Sequence, residues 1–142
     1  MIRFHGLPSQ LEELEIIDWL NGCAASYNRS IQKLSVSIVD TKRIREINQA
    51  FLQHDYPTDI ISFDYAEGES IVGELYIGLP VIKANAREYG VAAGDELCRV
   101  IAHGLLHLIG YDDQNEEERR LMWQNEDKCL LLRPKNLTNK EL

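Results

Sequence analysis

The segment DIISFDYAEGESIVGELYIGL, Asp59 to Leu79, holds two short apolar runs around a polar, glycine-containing loop. DIISFDY (Asp59–Tyr65) and GELYIGL (Gly73–Leu79) are short apolar runs on either side of that loop, and both read as strands. The connection AEGESIV is short enough for a hairpin, which makes the two strands antiparallel neighbours.

Outward from this hairpin the pattern changes period. Upstream, LSVSIVD (Leu34–Asp40) alternates as a strand, and Thr41 is placed to cap a helix with the apolar face Ile44, Ile47, Phe51 and Leu52. HDYPTD stops that helix, because Pro57 disfavours helical backbone at Tyr56. Further upstream are a short strand, Arg3–Leu7, and a helix from about Ser9 into Ala25, opened by the capping box Ser9/Glu12. Downstream, Pro80 begins a helix that Gly90 ends, Asp95 caps the next, and Asn115 with Glu118 boxes the last. The residues after Arg133 read as a frayed tail. The fold class is therefore α/β: a single domain over residues 1–142, with a mixed sheet of about four strands and helices packed on it.

Composition narrows the function. At 142 residues, 44% hydrophobic and 27% charged, the chain is an ordinary globular domain. No apolar run reaches the roughly 18 residues a membrane span needs, and the N-terminus turns acidic where a secretory signal would be apolar, so a cytoplasmic protein is expected. Cys23, Cys98 and Cys129 are far apart with no CxxC pair, which predicts buried, reduced thiols. A net charge of −8 runs against broad electrostatic binding of nucleic acid; it favours a small substrate, a protein partner or RNA presented within a larger assembly.

The chemistry concentrates in HGLLHLIGYDD, His103–Asp113. Residues i and i+4 of a helix lie about 40° apart around the axis and about 6 Å apart along it, so His103 and His107 share a face and can converge on one ion. Such a pair also occurs merely packed or solvated. The stop at Gly110, expected in the left-handed αL conformation, and a carboxylate beyond it favour a ligand set completed by Asp113, with Asp112 available to accept a histidine N–H. Zinc peptidases carry a glutamate base after the first histidine of HExxH; here Gly104 occupies that place, which disfavours a peptidase.

HGLLHLIGYDD resembles the signature HGxLHLxGYDH of the YbeY family of metal-dependent endoribonucleases, and FLQHDYPTDIISFDY resembles that family's YRxKDxPTDVLSFP. GELYIGL is similar to its GDIxI segment, and Met122 and Glu126 fall where the family has a methionine and a glutamate in the last helix. The resemblance implies a single-domain α/β fold with one Zn2+ on a central helix. It also implies cleavage of single-stranded RNA, a role in maturing the 3′ end of small-subunit rRNA and in ribosome quality control, and ribosomal partners. His103 and His107 match the first two metal ligands, and Asp113 stands in place of the third histidine. The family's arginine aligns with Leu52, its tyrosine with Phe51 and its lysine with His54, which leaves His54 as the nearest catalytic donor. Thr58 and Asp59 read as turn and strand-entry residues and Ser62 as a lining residue, with Tyr65 and Tyr76 available to stack on bases. A catalytically weak, metal-stabilised ribosome assembly factor is the alternative.

Overall fold

The computed structural model describes residues 1–142. In chain order the elements are β1 (Ile2–His5), α1 (Glu13–Ser26), β2 (Ile31–Val39), α2 (Thr41–Leu52), β3 (Ile60–Asp64), β4 (Ile71–Gly78), α3 (Leu79–Tyr89), α4 (Ala93–Ile109) and α5 (Glu116–Leu131), followed by a 3-10 turn, Lys135–Leu137. The sheet order is β1-β2-β4-β3, with β1, β2 and β4 parallel and β3 antiparallel to β4 at the edge. The α/β class, the mixed four-strand sheet and the hairpin of the sequence reading are all present.

Side-chain alternation assigns the two faces. Leu34, Val36 and Ile38 of β2 lie beside Gly73, Leu75 and Ile77 of β4, and this face carries the main core with Leu20 of α1, Ile82 of α3 and Ile101 and Leu105 of α4. The opposite face packs Ile61 of β3 against Ile44 and Ile47 of α2 in a smaller cluster. Helix α4 approaches the sheet so closely that a Cβ on Gly104 would sit 2.7 Å from Ile60 Cδ1 and 2.8 Å from Leu75 Cδ1. Gly104 therefore serves close packing of the site helix, a physical reason for a glycine where a peptidase has its base.

Several local expectations are corrected. The Ser9/Glu12 box does not form; residues 8–11 make a turn, with Leu11 N–H donating to Pro8 C=O, and the helix starts at Glu13. Asp40, not Thr41, caps α2 by accepting from Arg43 N–H at 2.8 Å. That helix ends directly before HDYPTD, as expected, with left-handed Gln53 as its cap, but Phe51 and Leu52 are exposed instead of completing its apolar face. Helix α4 begins at Ala93, so Asp95 lies in its first turn, where its charge suits the helix dipole. Asn115 does cap α5, but Glu118 reaches back to Gln114 N–H, one residue before the expected partner.

The frayed tail is also overturned. Leu137 is fully buried in the main core, Asn139 N–H donates to Asp95 Oδ1, and Gly94 N–H donates to Lys140 C=O at 2.7 Å. Leu137 and Leu142, isolated among polar neighbours and without helical or strand periodicity, are too weak a signal to show this. The three cysteines are free and buried, as expected.

Candidate metal centre

Helix α4 and the turn after it build the centre. His103 and His107, one turn apart, present perpendicular rings with centroids 4.5 Å apart. Gly110 has φ 128° and ψ 6°, a positive φ well outside the αL values that the sequence suggested. The termination is still of the Schellman kind, with Tyr111 N–H bonded to Leu106 C=O and Gly110 N–H to His107 C=O. Three contacts hold the turn in place. Arg29 donates to Ile109 C=O at 2.9 Å, Tyr111 packs edge-on against Tyr27, and the Tyr27 hydroxyl donates to Asn125 Oδ1. The chain leaving this turn carries Asp113 back over the histidines.

Asp113 Oδ2 lies 3.3 Å from His103 Nε2 and 3.5 Å from His107 Nε2. The ligand atoms of all three residues fall within 4.8 Å of one another, so the set could hold a metal ion. His103 Nδ1 stands 2.7 Å from Glu126 Oε2, whose carboxylate is nearly buried and also receives Arg99. A carboxylate only accepts, so Nδ1 carries the proton and Nε2 of a neutral ring presents a lone pair toward Asp113. Two acceptors then face each other, and a cation between them resolves the conflict. Without a metal the same pair favours a proton. Burial pulls the His103 pKa down, but the Glu126 hydrogen bond and the charges of Glu126, Asp113 and Asp59 outweigh it and leave it above its ordinary value. The donor chemistry therefore fits a divalent metal, with two imidazole nitrogens and one carboxylate oxygen.

Glu126, not Asp112, supplies the outer partner; Asp112 is exposed and makes no side-chain bond to either histidine. The sequence offered no spacing rule for this contact, because 23 residues separate Glu126 from His103 and only the packing of α5 on α4 joins them.

The centre opens into a cleft of about 530 Å³ between α4, the 111–114 turn and edge strand β3. Ile60, Ser62 and Asp64 lie on the face of β3 that meets α4, paired with Ile77, Leu75 and Gly73 of β4. Thr58, Asp59 and Leu52 complete the wall, so Ser62 lines the cleft as expected and Thr58 and Asp59 join it. No lysine or arginine lines the cleft.

Two expectations fail here. Tyr65 and Tyr76 do not flank the cleft. They sit with Phe63 and Phe51 on the other face of the hairpin, Phe63 stacking on Tyr65 and meeting Phe51 and Tyr76 edge-on. Alternation requires this, since Ile61, Phe63 and Tyr65 must point away from Ile60, Ser62 and Asp64. His54 is also outside the cleft: it lies exposed on the 53–58 loop, stacked on Tyr56 with Nδ1 3.1 Å from the Tyr56 hydroxyl. Buried Asn48 ties that loop down by donating to Tyr56 C=O.

In this small α/β domain two histidines of a central helix and an aspartate of the turn after it converge beside an edge strand, in a cluster that could hold a metal ion. The family model described as Endoribonuclease YbeY matches residues 9–132, and the chain belongs to the YbeY family. A Bacteroides thetaiotaomicron protein named Endoribonuclease YbeY is 42% identical over 123 residues, 87% of this chain and 90% of that protein. One of the same name from Chlorobaculum parvum is 55% identical over 86 residues, 61% of each chain. The solution structure of TM1509 from Thermotoga maritima aligns with TM-score 0.64 and 30% identity, covering 93% of this chain and 88% of that one. No helix is long and apolar enough to cross a membrane.

Proposed function

We propose that the protein is a zinc-dependent endoribonuclease of single-stranded RNA, acting in the cytoplasm on rRNA, at the small-subunit 3′ end and in ribosome quality control. The observation that carries this reading is the convergence of His103, His107 and Asp113 at the floor of the cleft, in a chain whose relatives are named endoribonucleases. Zinc suits two imidazoles and a carboxylate with an open position, and supplies Lewis-acid polarisation of a phosphoryl group and activation of water.

The chain's own residues set the rest. Glu126 holds the His103 proton on Nδ1 and keeps Nε2 free to ligate. Ser62, on the wall facing α4, donates its hydroxyl to a phosphoryl oxygen. Asp59, Asp64 and Asp113 make the cleft acidic, and with Leu52 in place of a cation the wall offers phosphate no balancing charge. Removing the metal is therefore expected to abolish RNA binding as well as cleavage. His54, outside the cleft, is given no part in the chemistry.

The test is metal content and cleavage of a single-stranded RNA, with a duplex control, for the native protein beside His107→Ala and Asp113→Ala. About one zinc per chain, lost with activity in His107→Ala, is expected; a metal-free protein that cuts at full rate refutes the reading. The cation-free cleft wall favours a second reading, a metal-stabilised ribosome assembly factor with weak catalysis. Leu52→Arg separates the two: a large gain in cleavage marks the native protein as catalytically weak.

A further inference from the structure

A second cleft of about 560 Å³ adjoins the metal centre, and Asp59 and His103 are walls of both. Its inner wall carries Glu96, only 6% exposed, whose carboxyl makes no hydrogen bond within the protein. Two exposed aromatic side chains, Tyr89 and Trp123, flank it. The cations nearby are already engaged: Arg99 binds Glu126 and Asp127 and lies 4.2 Å over the Trp123 ring, and Arg133 binds Asp95. The free polar group here is thus an acceptor, in a cleft that Tyr89 and Trp123 also line and that shares Asp59 and His103 with the metal centre.

That chemistry suits neither phosphate, which would need a free cation, nor a second metal. The three-ligand cluster of the molecule is His103, His107 and Asp113, and the carboxylates of this cleft do not converge in that way. It suits a nucleobase. Single-stranded bases are held by stacking on aromatic rings and read by hydrogen bonds on their Watson–Crick edge. An ionised carboxylate only accepts, and guanine alone among the four bases presents two adjacent ring-edge donors, N1–H and the N2 amino group. We propose that this cleft is a guanine-selective subsite for the nucleotide next to the scissile phosphate, with Glu96 accepting from N1–H and N2–H and Trp123 and Tyr89 stacking on the base. The assignment of an adjacent scissile phosphate rests on the endoribonuclease reading; the base preference does not.

The experiment is binding of GMP, IMP and AMP to the zinc-loaded protein at pH 8, where the Glu96 carboxyl is ionised, followed by quenching of Trp123 fluorescence. Trp19 is buried and bonded to Cys129 C=O, so the quenchable indole is Trp123. The three nucleotides share one phosphate, and IMP lacks only the N2 amino group. GMP is expected to bind on the order of tenfold more tightly than either. Glu96→Gln should erase that preference and leave AMP affinity unchanged. Equal affinities in the native protein overturn the assignment, as does a preference that survives in Glu96→Gln or no quenching by any of the three. The native comparison decides even where the variant fails to fold. RNA cleavage measured on the same preparation separates the two readings: cutting without guanine preference sinks the subsite alone, and preference without cutting sinks the endoribonuclease alone.

Discussion

Replacing Glu126 by glutamine keeps the shape of the acceptor on His103 Nδ1–H and removes its charge. In the native protein this carboxylate sits 2.7 Å from Nδ1 and 2.8 Å from Arg99, with a side chain 7% exposed. Outer partners of metal-bound histidines typically contribute about 10- to 100-fold in affinity, so a zinc affinity about tenfold weaker is expected for Glu126→Gln and nearer a hundredfold for Glu126→Ala. The stability cost of Glu126→Gln should stay near 1–2 kcal/mol, because Arg99 retains Asp127. Proton binding gives a second readout in the metal-free protein. His103 titrates above its ordinary value when folded, so it contributes stability that is full below about pH 6.5 and is lost as pH rises through the folded pKa. Without the Glu126 charge only Asp113 and Asp59 oppose burial, so the His103 pKa falls and that loss should move to lower pH and shrink. Zinc affinity by chelator competition, and thermal unfolding of metal-free protein from pH 5.5 to 8.5, measure the two effects. Native-like affinity together with an unchanged pH profile would refute the reasoning that Glu126 fixes the ring.

Gly110→Val forces a β-branched residue to φ 128°, with open space around its Cβ, so the cost is backbone strain of about 1–3 kcal/mol, and a drop in Tm should accompany weaker zinc binding. Leu137→Ala should cost about 2–5 kcal/mol in chemical denaturation, whereas a loose tail would make it silent. Glu96 is raised to about 7, first by burial and then by Asp59, so the folded state holds this proton longer than the unfolded chain does. It therefore contributes stability that fades as pH climbs from about 4.5 through 7. With the cleft admitting water, this amounts to about 1–2 kcal/mol, and Glu96→Gln should flatten that part of the denaturation profile.

Where the determinants were local, the sequence was readable. The hairpin followed from alternation and loop length, and the histidine pair from helical geometry. The return to Asp113 followed from one glycine. What stayed hidden was set by partners far along the chain. Asp95 looked like a helix cap because nothing near it revealed Arg133 and Asn139, its actual partners. Alternation tells which residues share a face of a strand but not which face meets α4, so the sequence alone does not put Tyr65 and Tyr76 on the side away from the cleft. Only the family resemblance marks Glu126 in the sequence, and its bond to His103 depends on the packing of α5. Nothing in the sequence sets Glu96 apart from other acidic residues early in a helix; its character comes from burial beside Asp59.

The clasp of residues 137–140 on the start of α4 bears on how the protein is made. As synthesis proceeds from the N-terminus, His103 and His107 are present before Glu126 can orient the first ring and before Leu137 and Lys140 can fasten the helix beneath them. An emerging chain thus holds two loosely directed imidazoles and no finished centre. A chain cut short before residue 140 is therefore expected to hold a metal ion less tightly than the full chain, even with His103, His107 and Asp113 all present.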